Sequence, residues 1–150
     1  VPPHSKKSLF YIHRSPNQNT VIYEVNLTEK STIDSKDPVK VYWIRYGEKG
    51  QHRELNYLER TFAYGVKSEP IDQHTFKIEF VASKDKTFNV SVNDEGQALA
   101  TMIINGRQSK LTKIFVQVAE NSWWPKIAFV EFFGIDTETN KPSYEKMLIK

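Results

Sequence analysis

Val39 to Tyr46, VKVYWIRY, is the densest β-forming stretch of the chain and also its richest in aromatic and cationic residues. Read with period two, both faces of this stretch become apolar or aromatic toward its middle, which predicts a strand with protein packed on each side. Arg45 departs from that pattern, because a guanidinium beside Trp43 on a partly buried face needs a partner. The stretch therefore predicts a central strand and, at Arg45, the clearest indication of a site.

Short alternating runs separated by turn residues fill most of the remaining chain. The cleanest is residues 75–83, TFKIEFVAS, which places Phe76, Ile78 and Phe80 on one face. Asn105-Gly106 is the dipeptide most typical of a two-residue hairpin turn, so a hairpin is predicted there. Applied to the whole chain, this pattern predicts about ten strands joined by short turns.

One segment has helical rather than strand spacing. Residues 52–62, HRELNYLERTF, place Leu55, Leu58 and Phe62 along one helical face, and Gly65 suits a helix end. We therefore expect a single short helix there, acting as a plug or lid on a β structure.

Sequential hairpins without βαβ alternation indicate an antiparallel sheet. A chain of 150 residues must curl or double such a sheet to bury one face. The expected fold class is all-β, an antiparallel barrel or barrel-like sandwich of calycin-like type. Residues 1–8 are polar and contain Pro2-Pro3, so we expect a flexible tail followed by one domain over residues 9–150.

Composition restricts the chemistry. The chain has no cysteine, which excludes disulfides, thiolate zinc sites, Fe–S clusters and a cysteine nucleophile. The net charge of +3 is spread along the chain, so a nucleic-acid partner is not expected. No apolar run is long enough to span a membrane. No cofactor is predicted.

The sequence does not establish an enzyme. It has no G-x-S-x-G motif, no glycine-rich phosphate loop and no H-E-x-x-H motif. Its histidines are scattered, without the spacing of metal ligands: His4, His13, His52 and His74. If there is a catalytic base, His13 is the best placed, because it lies in the middle of the predicted first strand.

A group of arginines and aromatic rings is the best candidate for a ligand site. Its members come from the first strand, the central strand and the predicted helix with its exit: His13, Arg14, Trp43, Arg45, Tyr46, Arg60 and Tyr64. Arginines among rings can bind a carboxylate or phosphate and stack on aromatic faces. Glu24 and Glu59 could equally neutralise them, so a structural ion-pair network and an anionic-ligand pocket both stay open.

Three segments together resemble a known family: LFYIHRSPNQNTVIYEV (residues 9–25), VKVYWIRY (39–46) and ELNYLERTFAYGVK (54–67). The chain is similar, over most of its length, to exported bacterial proteins grouped as domain of unknown function 4833. The strings HRS, YWIRY and FAYGV carry the resemblance. It implies a periplasmic or otherwise extracytoplasmic protein whose signal sequence has been removed, and it implies no activity.

Three classes of function stay open on this basis. The first is an exported module that binds an anionic small molecule or glycan fragment in an aromatic and arginine-lined cup, closed by residues 52–62. The second is an envelope scaffold or protein-interaction domain without a pocket. The third is an enzyme acting on an acidic or sugar substrate, with His13 as base. The partner is therefore a small molecule or a protein that the sequence does not name.

Overall fold

A computed structural model of the chain describes residues 5–15, 20–29, 32–45, 51–54, 65–80, 83–118 and 127–148. These residues form eleven strands and no helix. In chain order the strands are β1 (Ser8–Ser15), β2 (Thr20–Val25), β3 (Val39–Arg45), β4 (Gln51–Glu54), β5 (Val66–Pro70), β6 (Thr75–Phe80), β7 (Ser83–Val92), β8 (Ala98–Ile104), β9 (Arg107–Val118), β10 (Ile127–Asp136) and β11 (Pro142–Leu148).

All eleven strands belong to one nearly closed, barrel-shaped sheet, which confirms the expected fold class. Its main path runs β4-β3-β2-β1-β9-β8-β7-β6-β5, and β10 and β11 branch from β9. The branch arises at β9 because two strands share one of its edges. Residues 107–110 of β9 pair with β8, residues 113–117 pair with β1, and β10 follows the opposite edge. β9 is therefore the strand that joins the two halves of the sheet.

The core lies between these halves and contains a cluster of aromatic rings among aliphatic side chains. Phe10 in β1 stacks on Tyr23 in β2, with ring centroids 4.5 Å apart. From the other half, Phe80 and Phe88 meet the Phe10 ring edge-on at 6.2 and 5.0 Å. All four side chains are buried. Such ring pairs add to the burial of apolar area, so this cluster stabilises the contact between the two halves.

The alternation read from the sequence is confirmed in detail. Phe76, Ile78 and Phe80 are buried, whereas Lys77 between them is exposed. Asn105 and Gly106 form the turn between β8 and β9, with φ angles of 52° and 77°. Both values are positive, as the predicted two-residue hairpin turn requires.

The helix predicted over residues 52–62 is wrong at its start. Residues 52–54 belong to β4 and pair antiparallel with residues 42–44 of β3. Residues 55–62 lie outside the described residues. The helical spacing of three apolar residues was a weak signal, since so short a helix has little stability of its own. Pairing with an adjacent strand satisfies the backbone of residues 52–54 instead.

Two further features qualify the expectation of sequential antiparallel hairpins. β1 pairs with β9 in parallel, although the other strand pairs are antiparallel. Pairing of β1 also begins at Ser8, within the segment expected to be a tail, and the preceding residues are tied to the sheet. The Lys6 carbonyl accepts a hydrogen bond from the Ala98 N–H, and the Lys7 carbonyl accepts one from the Val25 N–H. The described part of the chain contains no helix able to cross a membrane.

Candidate functional site

The predicted arginine–aromatic group is divided by the sheet. His13 and Arg14 are consecutive in β1, so they lie on opposite faces. Arg14 is opposite Val116 of β9, which in turn is opposite Val130 of β10, in a row on the core side. His13 belongs to the outer side, where its ring meets that of Phe115 edge-on at 5.7 Å. One ligand in the predicted cup therefore cannot contact both residues directly.

The backbone register also locates Trp43 and Arg45. Trp43 of β3 is opposite Val21 of β2 and Arg53 of β4, and Arg45 is opposite Gln51. Both positions therefore lie near the same end of the strands as Arg14 of β1. Three members of the predicted group, Tyr46, Arg60 and Tyr64, lie outside the described residues.

Glu24 is not positioned to be the partner of Arg45. In the register of β2 and β3, Glu24 is opposite Lys40. Lys40 and Arg45 are five positions apart, which corresponds to about 16 Å along a strand. The neighbouring strand was predicted correctly, but the register places this carboxylate near the other end of β3.

The structure brings a different set of rings and cations together on the outer side of β1, β9, β10 and β11. One row crosses all four strands, because Tyr11 is opposite Lys113, Lys113 is opposite Phe133, and Phe133 is opposite Tyr144. Residues directly opposite each other on paired strands share a face. We call the following six residues the aromatic–lysine face: Tyr11, Lys113, Phe129, Phe133, Tyr144 and Lys146.

Lys113 occupies the centre of this face. Its Nζ lies 6.0 Å from the centroid of the Tyr11 ring and 5.5 Å from that of Phe133. Both distances are in the range where an ammonium is attracted to an aromatic ring. The two rings therefore hold the Lys113 ammonium at a defined position between them while its side chain stays partly exposed.

The β10–β11 side of the face repeats this arrangement. The Lys146 Nζ lies 4.2 Å from the Phe129 centroid, and the rings of Phe133 and Tyr144 are 5.2 Å apart. The Tyr144 hydroxyl donates a hydrogen bond to Glu131, and this bond raises the pKa of Tyr144. The hydroxyl therefore stays protonated and is oriented by the carboxylate.

Exposure increases across the face toward β11. Tyr11, Lys113, Phe129 and Phe133 are half-buried, whereas Lys146 is exposed and Tyr144 is 44% exposed. Next to them in β11, Leu148 is 70% exposed. Tyr144 and Leu148 are therefore exposed apolar side chains beside a group of half-buried rings. Ammonium groups among rings can bind a negatively charged ligand, and this surface also carries the Glu131 carboxylate, opposite Lys146.

The ion pairs on other parts of the described chain stabilise the fold. Arg107 Nε donates to Asp136 at 2.7 Å, linking the start of β9 to the end of β10. Lys86 and Glu145, 2.9 Å apart, link β7 to β11. In the described ranges, no group of three or more histidine, aspartate or glutamate residues could hold a metal ion.

The aromatic–lysine face is not evident from the sequence. Its members are spread over four strands, two of which are distant in the chain and pair in parallel. The available signal was the alternation of Phe129 and Phe133 with Phe132, in the run FVEFF. In the structure Phe132 is buried, and its neighbour Phe133 is half-buried on the other side of the strand.

Comparison with known proteins identifies a family. A family model described as domain of unknown function (DUF4833) matches residues 10–146. No curated protein and no solved structure matches the chain significantly.

Proposed function

Since the chain belongs to the DUF4833 family, whose description names no activity, we propose a function from the structure: the domain is a binding module for a flat, anionic ligand of the acidic-glycan class. The ligand lies on the aromatic–lysine face. The observation that carries this proposal is Lys113, whose ammonium is held between the rings of Tyr11 and Phe133.

The chemistry of the face matches such a ligand. A uronic acid combines a carboxylate with a ring that presents C–H groups on its flat side. Lys113 and Lys146 supply charge-assisted hydrogen bonds to the carboxylates, whereas Phe133 and Tyr144 supply apolar surface for the rings. Lys113 in β9 and Lys146 in β11 are separated by β10, so their strands lie about 10 Å apart, and an oligomer with repeated charges can reach both lysines.

The proposal locates the ligand differently from the cup expected from the sequence. Arg14 lies on the core side of β1, whereas the six residues of the face lie on the outer side. We therefore assign recognition to the outer side, and leave the arginines as a structural or secondary feature.

The test is calorimetric titration with oligogalacturonate, and with methyl-esterified oligogalacturonate, which keeps the sugar rings and lacks the charge. We expect the domain to bind the acid form and not the ester. Lys113→Gln should weaken this binding at least about tenfold, because a hydrogen bond to a charged group contributes roughly 1.5–3 kcal/mol. Added salt should weaken it as well.

Two further variants test whether the position of the lysine and the aromatic ring each contribute to binding. Lys77→Gln removes an exposed lysine from β6, away from the face, and should leave the affinity unchanged. Phe133→Leu keeps an apolar side chain but removes the ring, and should weaken binding of the acid form. Equal binding of acid and ester, or equal affinity of Lys113→Gln and wild type, would reject the acidic-glycan proposal.

We further propose an extracytoplasmic location, periplasmic or secreted, and a bacterial source, as the resemblance to the family implied. An acidic glycan of an envelope or of the surroundings would be available there. The measurement is fractionation of bacterial cells that express the full-length gene product. Recovery of the domain only with the cytoplasmic marker would contradict this location.

A further inference from the structure

The last strand, β11, is an edge strand in the described part of the chain. It pairs with β10 over seven positions without a register shift, and with no other described strand. At the start of this pairing the Asp136 N–H donates to the Lys141 carbonyl. The pair Asp136–Lys141 is therefore hydrogen-bonded. Hydrogen-bonded and non-hydrogen-bonded pairs alternate along an antiparallel ladder, so Tyr144, Lys146 and Leu148 are in non-hydrogen-bonded pairs. Their N–H and C=O groups point away from β10.

The edge of β11 differs from the edge at β5. Residues 67–70 of β5 are exposed and polar and end in Pro70, which has no N–H to donate. Such features prevent an edge strand from pairing. In β11 the proline is at the first position, and the exposed residues after it are Tyr144, Lys146 and Leu148, of which only Lys146 is charged. The edge of β11 thus keeps a regular series of donors and acceptors beside apolar side chains.

We infer that β11 pairs antiparallel with β11 of a second copy of this chain. In the register centred on Glu145, Lys146 of one copy is opposite Tyr144 of the second copy, and Leu148 is opposite Pro142. Lys146 then meets a tyrosine hydroxyl that is hydrogen-bonded to the carboxylate of Glu131. The next possible register would place Lys146 opposite Lys146, which like charge disfavours.

The centre of this pairing is compatible with two glutamates facing each other. Each Glu145 carboxylate is 2.9 Å from the Lys86 Nζ and accepts a hydrogen bond from the Asn105 N–H. Its negative charge is therefore already balanced within its own copy. This pairing joins the two sheets into one, and the outer side of one copy continues into the outer side of the second copy. Their aromatic–lysine faces therefore become continuous. The dimer rests on the geometry of β11, and does not depend on the ligand.

The test is sedimentation velocity of the unliganded domain over a range of concentrations. We expect a reversible monomer–dimer equilibrium. Lys146→Pro removes the central outward N–H, and should raise the dimer Kd at least about tenfold, since it removes backbone hydrogen bonds and places a ring at the edge. Ser68→Pro makes the same change in edge strand β5 and should leave the dimer Kd unchanged.

A crosslink tests the register. Because the chain has no cysteine, Glu145→Cys provides a single thiol at the symmetric position, and should form a disulfide-linked dimer on mild oxidation. Ser143→Cys, two positions away, should crosslink much less. A wild-type domain that stays monomeric at all concentrations would overturn the inference. So would a dimer that Lys146→Pro does not weaken, since its interface would then lie elsewhere. Thermal melting of each variant confirms that it is folded.

Discussion

Lys86 of β7 and Glu145 of β11 form a partly buried ion pair between two strands that are not neighbours in the sheet, with Nζ and Oε2 2.9 Å apart. The same Nζ donates to the Ile103 carbonyl at 2.9 Å and lies 5.3 Å from the Phe132 ring. Burial alone would raise the pKa of Glu145, but hydrogen bonds from Lys86 and the Asn105 N–H lower it. One lysine therefore connects β7, β8, β10 and β11.

Lys86→Met should destabilise the fold, because Glu145 would keep its charge in a partly buried position with only the Asn105 N–H as donor. We expect a loss of about 1–3 kcal/mol in the free energy of unfolding, measured by urea denaturation. Adding Glu145→Gln should recover part of this loss. Lys77→Met, at an exposed position of β6, is the matched control and should change stability by less than about 0.5 kcal/mol. Equal stability of Lys86→Met and wild type would show that the ion pair does not hold β11.

Asp136 should make the stability depend on pH below about 4. A hydrogen bond from Arg107, together with hydrogen bonds from the N–H groups of Glu138 and Thr139, lowers the pKa of Asp136 from 3.8 to about 2. The unfolded carboxyl therefore takes up its proton at a higher pH than the folded one. Its contribution to stability is complete above about pH 4 and is lost as the pH falls toward about 2.

Urea denaturation at several pH values measures this effect. Asp136→Asn should show a weaker fall in stability over this window than wild type. Arg107→Met should narrow the window from its lower end, because it removes the largest cause of the lowered pKa in the folded state and leaves the unfolded pKa unchanged. Identical pH profiles for wild type and Asp136→Asn would contradict the assignment.

Gly134 is required where β10 approaches β9 most closely. A Cβ at this position would lie 2.5 Å from the Lys110 carbonyl oxygen and 2.8 Å from Ile104 Cδ1. The first of these is backbone, which cannot easily move. Gly134→Ala should therefore destabilise the domain by about 1–3 kcal/mol, as overpacking does. Ile135→Ala, at a position 38% exposed, is the neighbouring control and should have a smaller effect on the melting temperature. A Gly134→Ala protein as stable as wild type would show that the two strands can separate there.

The hairpin between β8 and β9 provides a backbone test. Gly106 has φ of 77°, a conformation that a β-branched residue resists. Gly106→Val should therefore cost more than the roughly 0.5–1 kcal/mol of a mild backbone change. Asn105→Gly, where φ is 52°, should be nearly neutral and serves as control. An unchanged denaturation midpoint for Gly106→Val would contradict the positive φ at the turn.

Local patterns predicted most of the fold. Alternation in residues 75–80 and the Asn105-Gly106 turn were read correctly because each depends on neighbours in the chain. The parallel pairing of β1 with β9 was not predicted, because its register depends on packing between residues about a hundred positions apart. Residues 52–54 were misread for the same reason, since β3 decides their conformation.

The arginine–aromatic ligand site predicted from the sequence stays a prediction, and the structure adds a different surface. The sequence indicated rings combined with cations, and the structure contains that combination around Lys113. The predicted group centred on Arg45, whereas the face is assembled by cross-strand pairing of Tyr11, Lys113, Phe133 and Tyr144. Such a row cannot be assigned without knowing which strands are adjacent.

An NMR titration of the isotope-labelled domain with oligogalacturonate tests most directly the claim that the ligand lies on the aromatic–lysine face. If the aromatic–lysine face is the ligand surface, chemical-shift changes will concentrate on Lys113, Phe133, Tyr144 and Lys146, and Lys113→Gln will suppress them. Methyl-esterified oligogalacturonate will leave the spectrum unchanged. Shifts concentrated instead on Ile12, Arg14 and Val116 would place the ligand on the core side of the sheet and contradict the claim.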